Sequence, residues 1–149
     1  MSGCDNSGNI TNNGANSTDK GFRVGGLVGA CNAAATYDNC SVSADVSNTA
    51  KVTVNHAFGG LIGLPNGNNA KVQNCKFYGN VADHAESTDK YLGGLIGMLS
   101  NNLTLDNNGV GGSVDGVALT AENFETHLYK MSESPTVTTN TPNYYWNGE

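Results

Sequence analysis

The side chains able to do chemistry are few and scattered. The four cysteines, Cys4, Cys31, Cys40 and Cys75, show no C-x-x-C spacing, which favours buried free thiols acting as small hydrophobes over bridges or metal ligands. His56, His84 and His127 have no Glu or His partner at metal-site spacing, so neither a metal site nor a cofactor is expected. Arg23 is the sole arginine and the acids are dispersed. Asp5 and Asp45 share a face only loosely, whereas paired-carboxylate chemistry needs two groups held about 5 to 9.5 Å apart. No catalytic residue is therefore expected, and the chain reads as a non-enzyme. Two features point to binding instead. Ser17-Thr18-Asp19-Lys20 recurs as Ser87-Thr88-Asp89-Lys90, which would let Asp19 and Asp89 contact a cation or sugar hydroxyls. Tyr78, Tyr91 or Tyr37 could serve as a sugar-stacking platform. The candidate ligand-binding residues are Asp19, Asp89, Tyr78 and Tyr91.

The elements that must carry these residues follow from composition. The chain has 149 residues, a formal net charge of −6 and only 13% charged residues. That is one domain, and without a basic surface nucleic acid is not an expected partner. Gly occurs 20 times and Asn 22 times; both are poor in helix interiors and common in turns. Low charge with regularly spaced Val, Ile and Leu argues against disorder, leaving a turn-rich β protein. No run approaches the roughly eighteen apolar residues of a membrane span, and the start lacks the n- and h-regions of a signal peptide. A soluble chain without membrane insertion, any export signal already removed, is expected.

The glycines are periodic. Gly25-Gly26-Leu27-Val28-Gly29 returns as Gly59-Gly60-Leu61-Ile62-Gly63 and as Gly93-Gly94-Leu95-Ile96-Gly97. A second block follows each word, giving a column Cys4, Cys40, Cys75, Asn108, then Gly8, Ala44, Gly79, Gly112, then Ile10, Val46, Val81, Val114. Ahead of the cysteine column stand Tyr37, Val72 and Leu105, and next to it Asn39, Asn74 and Asn107. Alternating apolar positions are strand faces, and the Gly and Asn between them supply left-handed corners. A fixed period implies a repeat architecture. The expectation is an all-β, parallel β-solenoid or β-helix of about four coils, three short strands to a coil, with right-handed crossovers and columns about 4.8 Å apart. Asn side chains would hydrogen-bond along their column.

The words GGLVG and GGLIG, followed by the Asn-Cys-x-x-x-Gly-x-Val block, resemble the GLUG-motif repeats over residues 3–116. Such repeats occur in surface and secreted proteins of gut Bacteroidota and beside the protease domain of streptococcal IgA-cleaving metallopeptidases. The resemblance implies a secreted or cell-surface, β-helical and mostly non-catalytic module. It names no ligand.

Residues 117–149 read as a C-terminal cap on the single domain 1–149. Thr120 to Lys130, with Thr120 as N-cap and Ala121, Phe124 and Leu128 on one face, predicts a helix laid across the last coil. Ser132 to Thr141 reads as loop, and Asn143 to Asn147 as a short aromatic strand with Trp146 packed. In the GG words, Leu27, Leu61 and Leu95 should point opposite to Val24, Val28, Phe58, Ile62, Leu92 and Ile96, so that one face lines the core and the long preceding loop, or another protein, covers the other. The chain starts in mid-repeat, which allows end-to-end stacking through an uncapped first coil. Function is read as adhesion or structural presentation by a rigid ledge from which loops Thr11 to Lys20, Ser47 to His56 and Ala82 to Lys90 protrude. Host or bacterial glycans or surface proteins are the expected partners. A carbohydrate-binding domain is the first alternative, and a β-helix polysaccharide lyase or hydrolase the second.

Overall fold

In the computed structural model, which describes residues 1–19, 21–85 and 87–149, the repeat words become rungs of a parallel β-solenoid of about four stacked coils. Each coil contributes to four sheets rather than three. The first holds Arg23–Gly25, His56–Gly59 and Lys90–Gly93; the second Val28–Cys31, Ile62–Pro65, Ile96–Leu99 and Tyr129–Met131. The third holds Thr36–Asp38, Ala70–Gln73, Leu103–Asp106 and Val137–Thr138. The fourth, the long sheet, holds Asp5–Asn6, Ser41–Val42, Lys76–Asp83, Gly109–Val114 and Tyr144–Tyr145, with Ile10–Asn12 and Val46–Asn48 continuing its far half. Neighbouring rungs are parallel, and among the described residues only Val117–Ala118 pairs antiparallel.

The register is the one the words spell out. Val24, Phe58 and Leu92 align in the first sheet, and Tyr37, Val72 and Leu105 in the third. Ile10, Val46, Val81 and Val114 align in the long sheet. A column is a continuous apolar stack because every rung turns the same residue inward. Phe58, Leu61, Ile62, Val72, Phe77, Val81, Leu95, Ile96, Leu105 and Val110 are accordingly buried in one core. Asn39, Asn74 and Asn107 sit at φ of 52°, 55° and 53°, the left-handed corner that Asn tolerates. Their ladder is partial: Asn107 donates to Asn74 Oδ1 at 2.9 Å, whereas Asn74 reaches Asp38 Oδ1, not Asn39, at 2.9 Å.

The cysteine column contains free thiols, each donating to the carbonyl two residues earlier: Cys4 to Ser2, Cys40 to Asp38 and Cys75 to Gln73. Where Asn108 replaces cysteine, its buried amide accepts from Cys75 N–H at 3.0 Å and donates to the Val72 carbonyl and to Asn143 Oδ1.

Three further expectations are corrected. Leu27, Leu61 and Leu95 do not oppose their neighbours. The GG pair is a corner between the first and second sheets, so these leucines and the flanking Val24, Phe58, Ile62 and Ile96 all enter the same core. The reverse faces need neither loop nor partner, because the two sheets press against each other there. A Cβ on Gly63 would lie 2.6 Å from Val24 N, and one on Gly97 2.7 Å from Phe58 N. Ala57, Leu64 and Met98, with Tyr91 against them, fill the remainder.

The long loops do not protrude either. Ser17 pairs with Val52, and Thr88 N–H donates to the Val52 carbonyl. Ala50, Val52 and Ser87 are buried, so these segments stack coil on coil like the strands. Lys20 lies outside the described residues.

The helix expected over Thr120 to Lys130 shrinks to one 3₁₀ turn, Phe124–His127, with no side-chain cap bond. Lys130 belongs to the strand Tyr129–Met131. Residues 117–149 form a last partial coil: the turn packs against Gly109–Val114 and Tyr144–Tyr145, and after it the His127 and Leu128 carbonyls accept from Gly94 and Leu95 N–H at the GG corner. Strands 129–131, 137–138 and 144–145 then extend the second, third and fourth sheets. Strand register thus wins over the helical pattern of Phe124 and Leu128, both of which are buried in the core. The short aromatic strand is present as Tyr144–Tyr145.

Candidate functional site

On the strand Lys76–Asp83, Phe77 and Val81 point into the core while Lys76, Tyr78 and Asn80 face solvent. Period-two alternation therefore lays two outward polar rows across the coils. One row is Asn9, Asp45, Asn80, Ser113; the other is Thr11, Ser47, Ala82, with Asp115 beyond it. Together with Asp83, His84 and Gly116 they line a cleft of about 500 Å³.

The rows are fixed by bonds between coils. Asn9 Oδ1 accepts from Asp45 N–H at 2.9 Å, and Asp45 Oδ1 accepts from both Asn80 N–H and Asn80 Nδ2 at 2.8 and 2.9 Å. Ser113 Oγ donates to Asn80 Oδ1 at 2.6 Å, and the Thr11 and Ser47 hydroxyls share a bond of 3.0 Å. At one end Lys90 forms an ion pair with Asp115 at 2.9 Å. Among the described residues, Asn9 Nδ2 and Asp45 Oδ2 have no partner, and each hydroxyl of the Thr11–Ser47 pair keeps capacity for a further bond.

Beneath the cleft lies a buried polar cluster. His56 and Asp83 side chains are fully enclosed and meet at 3.3 Å between Nε2 and Oδ2. His56 Nδ1 is 3.0 Å from the Val54 carbonyl, which can only accept, so Nδ1 carries a proton. The contact joins the His56 ring to the Asp83 carboxylate inside the stack. Asp83 Oδ1 also accepts from Asn48 Nδ2 and Ala85 N–H at 2.9 and 3.0 Å. Burial alone would raise the Asp83 carboxyl, yet the bonds from Ala85, Asn48, Ser87 and His56 outweigh it and hold it below the usual carboxylate range. Asn48 passes the network on, accepting from Asn12 Nδ2 at 2.8 Å, and Ser87 Oγ accepts from Val52 N–H at 2.9 Å. Serine, histidine and carboxylate are all present, but the carboxylate stands between the other two. A nucleophilic triad needs the imidazole there, so this cluster positions strands rather than activating a hydroxyl.

The residues singled out in sequence fall apart in space. Ser17 aligns with Val52, and Ser87 follows one coil further on, so Asp19 and Asp89 are separated by a whole coil, roughly 9 to 10 Å at the usual rung spacing. Both are exposed. Asp19 accepts from Ser17 Oγ at 3.3 Å; Asp89 occupies a left-handed corner at φ 53° and its carbonyl receives His56 N–H. The recurrence of Ser-Thr-Asp-Lys thus reflects a repeated place in the stack. Tyr91 is half-buried, packed on the Ala57, Leu64 and Met98 cluster, with Lys130 Nζ 5.9 Å from its ring centroid. Tyr37 cannot be a platform: it is 3% exposed, and burial, with the Cys31 thiol beside it, pushes its hydroxyl far up.

Tyr78 alone among these adjoins the cleft. It is 40% exposed, stands two residues before Asn80 on the same outward face, and meets Trp146 edge-on at 6.1 Å. Trp146 is half-buried under Lys76, whose Nζ is 5.0 Å from the ring. Asn9, Thr11, Ser47 and Asn80 were not singled out in sequence, although the column alignment places Asn9 with Asp45 and Asn80. Among the described residues no cluster of three His, Cys, Asp or Glu could hold a metal ion, and no helix is long and apolar enough to cross a membrane.

Fold and cleft together define a β-solenoid with a polar groove on its longest sheet. No family model, no curated protein and no solved structure matches the chain.

Proposed function

We propose that this chain is a non-catalytic, GLUG-like repeat module of a larger secreted or cell-surface protein, and that it serves adhesion by holding a partner on the outer face of its long sheet. The observation that carries the reading is the polar rows of that sheet, held by bonds between coils that still leave Asn9 Nδ2, Asp45 Oδ2 and part of the Thr11–Ser47 hydroxyl capacity unpaired among the described residues. Preorganised donors and acceptors lower the ordering cost of binding. The acids support the same reading: Asp38, Asp45, Asp83 and Asp106 each accept a side chain or N–H from the next coil or a neighbouring segment, a scaffold role. The test is incubation with bacterial and host surface polysaccharides and with surface proteins. Retention without release of reducing ends or cleavage is expected; turnover of any of them overturns the reading.

A second element concerns the first coil. Cys4, Val24, Leu27 and Val28 are only partly buried although their apolar counterparts in later coils, among them Cys40, Phe58, Leu61 and Ile62, are enclosed. We propose that this end stacks on another coil, that of a second copy or of a flanking segment. Sedimentation velocity of the chain should show concentration-dependent association that Leu27→Asp abolishes; a monomer at every concentration contradicts stacking between copies.

A further inference from the structure

We infer that the long-sheet cleft binds a neutral, hydroxyl-rich glycan whose chain runs across the coils. This rests on the module reading and adds the ligand chemistry. Successive rungs stand about 4.8 Å apart, close to the length of one pyranose unit, so a linear glycan lying along the solenoid axis meets an equivalent row at each residue. The row offers complementary groups in sequence. Among the described residues Asn9 Nδ2 is an unpaired donor and Asp45 Oδ2 an unpaired acceptor; Ser113 Oγ, whose proton goes to Asn80 Oδ1, can accept, and of the Thr11–Ser47 pair both hydroxyls can accept and one can still donate. Sugar hydroxyls, which both donate and accept, suit such alternation.

The charge in the cleft decides the class. Asp45 and Asp115 present carboxylates to it, while the Asp83 carboxylate is enclosed against His56 beneath; among the described residues Lys90 is the lysine at its edge, and it is paired to Asp115; the chain as a whole carries −6. Uronic-acid and sulfated chains are repelled by that field, whereas a neutral chain is not. Ala82 leaves an apolar gap in the second row, and Tyr78, beside Asn80, provides ring surface at the margin for the C–H face of a sugar. A cleft of about 500 Å³ is within the usual range for small-ligand sites.

The experiment is calorimetric titration of the intact chain with cellohexaose, xylohexaose, mannohexaose and hexagalacturonate, with reducing ends measured in parallel. At least one neutral hexamer should bind, and hexagalacturonate at least about tenfold more weakly. Ala82→Arg, which fills the cleft from an outward position, should abolish the binding, and Ser47→Val should weaken it. Asp19→Ala, Asp89→Ala and Tyr91→Ala should leave it unchanged. Urea melts of each variant separate lost binding from lost folding. Equal or tighter binding of hexagalacturonate, binding that survives in folded Ala82→Arg, or no neutral hexamer bound at about 1 mM overturns the assignment while leaving the module reading intact. Release of new reducing ends overturns the module reading itself.

Discussion

Replacing Gly97 with alanine isolates the contact between the first two sheets. The added Cβ would stand 2.7 Å from Phe58 N, 2.8 Å from Phe58 C and 3.0 Å from Gly63 O. All three neighbours are backbone atoms of rungs already fixed on both sides, so no side chain can swing away. Overpacking of a filled core costs about 1 to 3 kcal/mol and more where nothing relaxes; Gly97→Ala should therefore lose about 3 kcal/mol. For a chain near 150 residues that lowers Tm by roughly 6 to 12 °C. Gly8→Ala supplies the contrast, because its Cβ would meet only Asn6 Oδ1, at 3.5 Å, and alanine narrows the unfolded ensemble, a gain of about 0.4 to 1 kcal/mol. Urea titrations followed by far-UV circular dichroism measure both. Gly97→Ala as stable as the parent, or Gly8→Ala as costly as Gly97→Ala, would refute the back-to-back packing.

The buried Asp83 sets an acid limb to stability. Its carboxyl is depressed in the folded chain, so its contribution is fully present above the unfolded value near pH 4 and is lost as pH falls through the lower folded value; urea midpoints should drop from pH 5 to 3, and Asp83→Asn should flatten that slope. Removing the Asn108 amide leaves Cys75 N–H buried without its partner, so Asn108→Ala should cost about 2 kcal/mol by the same titrations, and a loss within about 0.5 kcal/mol contradicts the bonding described. Burial pushes the Cys75 thiol up to about 11, and Cys40 is equally enclosed. Ellman's reagent should label Cys4 and Cys31 in the folded chain and Cys40 and Cys75 only after unfolding; four equal rates count against the enclosed column.

The solenoid was legible because each column repeats one physical requirement: a branched side chain inward at Val46, Val81 and Val114, or a left-handed corner at Asn39, Asn74 and Asn107. The sheet count and the packing of the GG words were not, since a glycine required by a nearby backbone, as Gly97 is by Phe58, looks in sequence like one required by its own φ. Phe124 and Leu128 carry a helical pattern that the pairing of Tyr129–Met131 with Ile96–Leu99 overrides, a contact between residues more than thirty apart. The cleft escaped notice because its residues are chemically ordinary. Asn9, Asp45 and Asn80 lie 35 and 36 residues apart and become a site only when the register stacks them. Asp19 and Asp89, conspicuous by their shared word, are held apart by the coil between them.

The register itself is what the cleft, the core and the thiol column all rest on, and through-hydrogen-bond NMR couplings read it directly. Couplings are expected from the amides of Ser41, Lys76, Gly109 and Tyr144 to the carbonyls of Cys4, Cys40, Cys75 and Asn108, respectively. A displacement of any of these pairings by even one residue would turn the polar rows inward and contradict the account.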